Sequence, residues 1–288
     1  MTSSLLEQAP AKINLTLRVL GRRADGYHEL ESLVAFADLA DTLSLQPGAE
    51  TAFDLSGPFA AASGKVSDNL VLKALAALRQ SIAGLTAGRF LLEKNIPVAA
   101  GVGGGSADAA AALRLLARAN GVAPDDPRLG EAALKLGADV PVCLASRARI
   151  MRGVGDRLSA PLELPPLPAV LVNPGVPLAT RDVFAKFTPA QGGKQPLAKV
   201  PSTHEALIEY LTRQGNYLTP AATACLPVIA DVLAALRALP GVRLARMSGS
   251  GPTCFALFAT PGEAASAAQR LKAEHRDWWV TSATIGSA

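Results

Sequence analysis

The chain has 288 residues, of which 49% are hydrophobic and 18% charged, with a formal net charge of +4. That balance excludes a disordered protein and leaves enough chain for one large domain or two modest ones with a sizeable core. The mild basic excess suits anionic ligands, but there is no Lys/Arg block and aromatic residues are only 5%, so no nucleic-acid partner is expected. Cys143, Cys225 and Cys254 are odd in number, widely spaced and set among apolar residues. They read as reduced core packing without a disulfide or metal framework, and a cytoplasmic location is expected. The residues before Pro10 lack a basic segment followed by an apolar run, and the longest apolar stretches are interrupted. Neither a leader nor a membrane span is expected.

In chain order, residues 11–20 alternate, with Ile13, Leu15, Leu17 and Val19 on one face and Lys12, Asn14, Thr16 and Arg18 on the other. This predicts a half-buried strand with a polar face. Asp25-Gly26 marks a turn, Tyr27 leads an extended run to Phe36, and a further strand is expected at 42–46. Asp68 can cap a helix whose apolar face is Leu70, Val71, Ala74, Leu75 and Leu78. A strand at 89–94 precedes a glycine loop, an Ala/Leu-rich helix at 107–120 and another helix at 130–137. Short strands are expected at 150–155 and 169–173. Four prolines between Pro161 and Pro168 make that stretch the candidate domain boundary. The Pro/Gly-rich stretch 188–201 reads as a loop. Helices near 203–214 and 226–239, strands near 242–247 and 253–258, a helix at 262–274 and a strand at 278–284 complete the reading. Strands and helices mix without regular βαβ alternation, which predicts an α+β fold.

The strongest local feature is Gly101-Val102-Gly103-Gly104-Gly105-Ser106-Ala107 at a strand-to-helix junction. Glycines let backbone approach a ligand closely, and a helix N-terminus presents N–H groups and positive dipole to an anion. Phosphate binding is therefore expected, with Ser106 either capping the helix or reaching a phosphate oxygen. The loop lacks the Gly-Lys-Ser/Thr of a P-loop, and Ser106 stands where a dinucleotide fingerprint needs its third glycine. Taken singly, Lys12 reads as a strand lysine on a polar face, Asp139 as a helix cap before Pro141, and Tyr27 and His28 as a packed aromatic pair.

Taken together and in order, Pro10 through Leu15, Arg23 through Leu30, Pro97 through Ala112, Leu136 through Pro141 and Met247 through Pro252 resemble the GHMP small-molecule kinase superfamily. The Ala-Lys-Ile-Asn start and the Asp-Gly-Tyr-His turn resemble the branch whose acceptor alcohol carries a cytidine diphosphate, in the non-mevalonate isoprenoid pathway. The resemblance implies two α+β lobes, residues 1–160 and 161–288, with ATP and the cytidylyl substrate meeting in the cleft between them. It implies that Pro97, Val98, Ala99, Ala100, Gly101, Val102, Gly103, Gly104, Gly105, Ser106 and Ala107 wrap the ATP phosphates. Asp139 would take the proton of the acceptor hydroxyl, and Lys12 would orient that hydroxyl and balance charge. Asn14, Tyr27 and His28 would contact the substrate, Phe184 would stack on the base, and Gly249, Ser250 and Gly251 would support the phosphate loop or the substrate diphosphate.

Two positions depart from the family pattern. Ala99 stands at a usual glycine and Ala107 at a frequent serine, both with backbone N–H donors intact, so tuned affinity with retained activity is expected. The Gly215–Pro220 segment is a degraded family motif with a structural part to play. No carboxylate cluster marks a metal site; Mg²⁺ is expected with ATP, held by phosphates and water with Ser106 as an aid. A monomer or a homodimer is consistent with the family. The rival readings are a superfamily kinase for mevalonate, homoserine or a sugar, which has no use for Tyr27, His28 and Phe184, and a non-catalytic nucleotide binder, which needs neither Lys12 nor Asp139.

Overall fold

The computed structural model describes residues 4–188 and 197–286. Of the expected loop at 188–201, residues 189–196 lie outside the described ones. The chain forms two compact units that interleave along the sequence. The first comprises the N-terminal stretch to Ala11, Leu39–Val98 and Gly103–Ser146, and the second comprises Lys12–Asp38, Ala99–Val102 and Arg147 onward. In element order, β1 is Leu5–Asn14, β2 Arg18–Arg22, β3 His28–Gly48 and β4 Ala52–Ser56, followed by two short 3-10 turns. Then come α1 (Leu70–Ser81), β5 (Ala87–Glu93), α2 (Gly104–Ala119), α3 (Pro127–Leu136), α4 (Val140–Ala145), β6 (Arg149–Gly153), β7 (Arg157–Leu158) and β8 (Leu167–Asn173). The rest is α5 (Thr180–Lys186), α6 (His204–Thr212), α7 (Thr219–Cys225), α8 (Val228–Arg237), β9 (Leu244–Met247), β10 (Cys254–Leu257), α9 (Pro261–Glu274) and β11 (Trp279–Gly286).

In the first unit, the C-terminal part of β3 pairs antiparallel with β5, and β5 pairs parallel with β4. Alternation along β5 buries Phe90 and Leu92 while Arg89 and Leu91 face out. Helices α1 to α4 pack on one another. Asn69, not Asp68, caps α1, its side chain accepting from the Val71 N–H at 2.9 Å. Asp68 instead closes the preceding 3-10 turn, one residue too early to serve. Helix α2 buries Ala107 and Ala109–Ala112, and these small side chains let the neighbouring helices approach closely. Asp126 caps α3 by accepting from Arg128 N–H, with Pro127 at the first helical position.

In the second unit, the N-terminal part of β3 pairs with β2 and β6, and β11 joins β3 through Ile285–Ala37 and Gly286–Phe36. Beyond β11 the order continues β8, β10, β9, all antiparallel. Helices α7, α8 and α9 lay Ala222, Ile229, Val232, Leu233, Leu236 and Leu271 onto Val170, Val172, Met247, Cys254, Ala256 and Phe258. Each such fully buried large side chain stabilises the fold by about 1.5–3 kcal/mol. Thr260 and Glu263 close α9 with a reciprocal capping box.

Three sequence expectations are revised. The strand expected at 11–20 is two strands, because Leu17 leaves the ladder to exchange backbone hydrogen bonds with Gly215 and Tyr217 at 2.9 and 2.8 Å. Its polar face is not solvated: Lys12, Asn14, Thr16 and Arg18 are all buried. Their polar atoms are met by partners, as when Arg18 pairs with the buried Glu31 at 3.1 Å. The strands expected at 27–36 and 42–46 are one 21-residue strand, whose halves serve different units.

Candidate active site

The glycine loop leaves β5 through buried Pro97 and exposed Val98. Within the second unit, Ala99–Val102 is stitched to its surroundings by backbone bonds. Lys12 N–H donates to Val102 O at 2.8 Å, and Thr253 N–H donates to Ala100 O at 3.1 Å. Ser248 Oγ donates to Gly101 O at 3.3 Å and accepts from the Asn14 N–H at 3.1 Å. Gly101 is left-handed at φ +73°, and a Cβ there would lie 2.2 Å from Gly251 O. A Cβ at Gly249 would lie 3.0 Å from Gly101 O and 3.2 Å from Asn14 Oδ1. Bare backbone on both sides is what lets the loop and the Gly-Ser-Gly turn meet. Asn216 holds that turn by donating from Nδ2 to Met247 O at 2.8 Å and Gly249 O at 2.7 Å. Ser250 Oγ pairs with Thr180 Oγ1 at 2.8 Å. Ala99 is itself left-handed, at φ +54°.

In the first unit, α2 begins three residues earlier than its Ala/Leu pattern predicts. Gly103, left-handed at φ +65°, is the N-cap, so Ser106 lies in the first turn and caps nothing. Gly104 and Gly105 are different in kind from Gly101. Neither has positive φ, and a Cβ would meet only ordinary contacts: Ile96 at 3.6 Å from Gly104, Leu70 at 3.5 Å from Gly105. Neither the protein's conformation nor its packing calls for glycine there. What bare backbone does offer is a first helical turn of N–H groups that a phosphate can approach closely.

Beneath that turn lies an ionic cluster that sequence inspection missed. Lys94 Nζ bonds Asp108 Oδ2 at 2.7 Å and also Asp41, and Asp41 Oδ1 accepts the backbone N–H groups of Asn95 and Ile96. All three side chains are buried. Burial opposes the Lys94 charge, but the neighbouring Asp108 and Asp41 carboxylates outweigh it and hold the ammonium above its ordinary range. Burial pushes Asp108 up to about 7, against the pull of Lys94 and with the repulsion of Asp41. Since the three lie 53 and 14 residues from one another along the chain, no local motif announces them.

Asp139 occupies the N-cap of α4, half-buried, with Pro141 in the first turn. Its side chain makes no cap hydrogen bond, so the helix-cap role that its sequence context suggests is not the one it fills. In the second unit, Lys12 Nζ donates to Asn14 Oδ1 at 2.8 Å, and Asn14 Nδ2 donates to Ser32 Oγ at 2.7 Å.

His28 and Phe184 are brought together: their rings stack with centroids 4.9 Å apart and planes 26° apart. Phe187, which the sequence reading passed over, stands edge-on to His28 at 5.9 Å. Burial and then the nearby Arg22 charge lower the His28 imidazole below its ordinary value, which favours the neutral ring. Tyr27 is 67% exposed, on a turn where Asp25 Oδ1 accepts its N–H at 3.1 Å. Among the described residues, no group of three or more His, Cys, Asp or Glu side chains is placed to hold a metal ion. No helix among the described residues is long and apolar enough to cross a membrane.

A family model described as GHMP kinases N terminal domain matches residues 69–147, and one described as GHMP kinases C terminal matches 197–277. The chain is 56% identical to the 4-diphosphocytidyl-2-C-methyl-D-erythritol kinase of Rhodopseudomonas palustris (strain BisB5), over 96% of this chain and 98% of that protein. It is 37% identical to a 4-(cytidine 5'-diphospho)-2C-methyl-D-erythritol kinase of known crystal structure, with a TM-score of 0.78 and coverage of 99% of this chain and 100% of that one. A homoserine kinase from Cytophaga hutchinsonii, 21% identical with a TM-score of 0.73 over 100% of this chain and 96% of its own, shares the fold.

Proposed function

The chain belongs to the GHMP kinase family, whose members are small-molecule phosphotransferases using ATP, and on that premise we propose that it phosphorylates the 2-hydroxyl of 4-diphosphocytidyl-2-C-methyl-D-erythritol. The relatives named above carry the choice of substrate, and the observation that carries the phosphate site is the bare first turn of α2. Gly104 and Gly105 are glycines without an internal reason, at the end of a loop whose Gly101 and Gly103 have one. We place the ATP phosphates there, along Pro97–Ala107. His28 and Phe184 then serve the cytosine, with Tyr27 at the turn beside them. A neutral imidazole keeps one donor and one acceptor nitrogen, which suits a base edge. The family models fall on either side of residue 160, which supports an N-terminal module at 1–160 and a C-terminal one at 161–288.

In this reading the acceptor oxygen attacks the γ-phosphorus of ATP as the bond to the bridging oxygen of ADP breaks. The hydroxyl proton passes to the Asp139 carboxylate. Lys12 orients the hydroxyl and offsets the charge that collects on the transferring group. The protein's part in such a transfer is mostly positioning and charge stabilisation. Among the described residues no His, Cys, Asp or Glu group is placed to cage a magnesium ion; Mg²⁺ would come with the ATP phosphates, whose charge it would offset.

The test is ADP release with Mg²⁺-ATP and four acceptors: the cytidylyl substrate, mevalonate, homoserine and galactose. Turnover on the first alone, lost in Asp139→Ala while ATP still binds, is the expected result. Turnover on another acceptor overturns the substrate assignment, and an active Asp139→Ala overturns the base.

A further inference from the structure

Lys12 does not stand alone in the second unit. Its Nζ donates to Asn14 Oδ1 at 2.8 Å, and Asn14 Nδ2 donates to Ser32 Oγ at 2.7 Å. Ser32 Oγ in turn donates to the Thr16 carbonyl, and Thr16 Oγ1 accepts the Leu33 N–H at 2.9 Å. Asn14, Thr16 and Ser32 are at most 1% exposed, so water does not compete for these bonds.

The polarity of this chain is fixed from its far end. A carbonyl oxygen only accepts, so the single Ser32 proton must point at Thr16 O. Ser32 Oγ is then left with lone pairs alone on the side of Asn14. It takes the amide NH₂ and rejects the amide oxygen, which forces Asn14 Oδ1 to face Lys12. A flipped amide would set Oδ1 against the lone pairs of Ser32 Oγ and NH₂ against the Lys12 ammonium, acceptor facing acceptor and donor facing donor. The Asn14 backbone is also pinned, by its N–H to Ser248 Oγ at 3.1 Å, so the side chain has little other freedom.

We propose that Ser32 is a positioning residue for phosphoryl transfer: through the fixed orientation of the Asn14 amide it aims the Lys12 ammonium. The inference rests on the reading of Lys12 as the cation that orients the acceptor hydroxyl. Ser32 itself touches neither substrate nor nucleotide in this assignment. It sits on β3, in a different stretch of chain from the Lys12–Asn14 strand that it disciplines, which is why no motif around Lys12 includes it.

The experiment is a double-mutant cycle on kcat, using Ser32→Ala, Lys12→Gln and the pair, with ATP and the cytidylyl acceptor varied separately. Ser32→Ala is expected to lower kcat by about 10- to 100-fold, with KM for ATP within about twofold of wild type, since a small misplacement of a reacting group acts on rate. In the Lys12→Gln background the same change is expected to cost less than about twofold, because nothing remains to be aimed. Ser32→Cys keeps the volume and weakens the hydrogen bonds, and is expected to fall on the same side if Ser32→Ala does not fold. Wild-type kcat in the Ser32 variants overturns the inference, as does an equal loss in both backgrounds, which would mark a purely structural hydroxyl. Wild-type kcat in Lys12→Gln instead overturns the underlying reading of Lys12, a separate outcome.

Discussion

Gly101→Ala tests the close approach of the glycine loop and the Gly-Ser-Gly turn. Alanine at φ +73° costs about 1–2 kcal/mol from its left-handed backbone alone. Its Cβ would also lie 2.2 Å from Gly251 O and 2.7 Å from Gly251 C, both backbone atoms that cannot rotate away. Relaxed contact needs about 3.5 Å, so the loop and the turn must separate by about 1 Å. That movement strains the Ser248–Gly101, Thr253–Ala100 and Lys12–Val102 bonds. Adding overpacking of about 1–2 kcal/mol to the backbone penalty gives a loss of roughly 2–4 kcal/mol. At about 2 °C per kcal/mol for a chain of this size, thermal melts should fall by about 4–8 °C. A displacement of about 1 Å in the proposed phosphate loop should lower kcat/KM for ATP by about 100-fold. Initial rates at varied ATP, beside thermal melts of the same preparations, measure both. A variant that melts within a degree of wild type with unchanged KM for ATP would refute the argument.

Ala99→Gly is the opposite change. It relieves a left-handed alanine at φ +54° but frees the unfolded chain by about 0.4–1 kcal/mol, leaving a net gain of about 0.5–1 kcal/mol. Urea denaturation should show a higher midpoint at an unchanged slope; a lower midpoint would mean that Ala99 is not strained. Asp108→Asn should alter the pH dependence of stability. The folded protein holds the Asp108 proton up to about 7, whereas an unfolded aspartate releases it near about 3.9. Below both values the group is protonated in either state and adds nothing; as pH rises through that window the unfolded chain is favoured. Wild type should therefore lose stability relative to Asp108→Asn between pH 4.5 and pH 8, and a stability difference that stays flat across urea melts at those two pH values would contradict it.

Local pattern carried most of the secondary structure and little of its pairing. The alternation through Ile13 and the Ala/Leu periodicity after Ser106 correspond to β1 and α2, because each depends on residues close in sequence. The length of β3 was not legible. By sequence pattern one strand ends at Phe36 and another begins at Thr42, with Asp38 and Asp41 between them. Each is held by a distant partner instead: Asp38 Oδ1 accepts the Thr284 N–H at 2.8 Å, and Asp41 meets Lys94, Asn95 and Ile96. The polar face expected along residues 11–20 failed as a solvent signal for the same reason, since Ser32 and Glu31 come from elsewhere in the chain to meet Asn14 and Arg18.

The glycine loop shows where sequence reading stops and geometry begins. A run of glycines says only that side chains are absent; it cannot say which absence serves the protein and which leaves room for something else. At Gly101 the absence serves the protein, since Gly251 O fills the place of a Cβ. At Gly103 it serves the backbone, which turns left-handed to start α2. At Gly104 and Gly105 it serves neither, and the space that remains faces the N–H groups of a helix start. Ala99 supplies the control within the same loop, for it shows that this chain holds a left-handed residue there without glycine, at φ +54°. We read glycine at 104 and 105, where conformation asks less than it does at 99, as serving the proposed phosphate, whose surface would come within reach of main-chain donors.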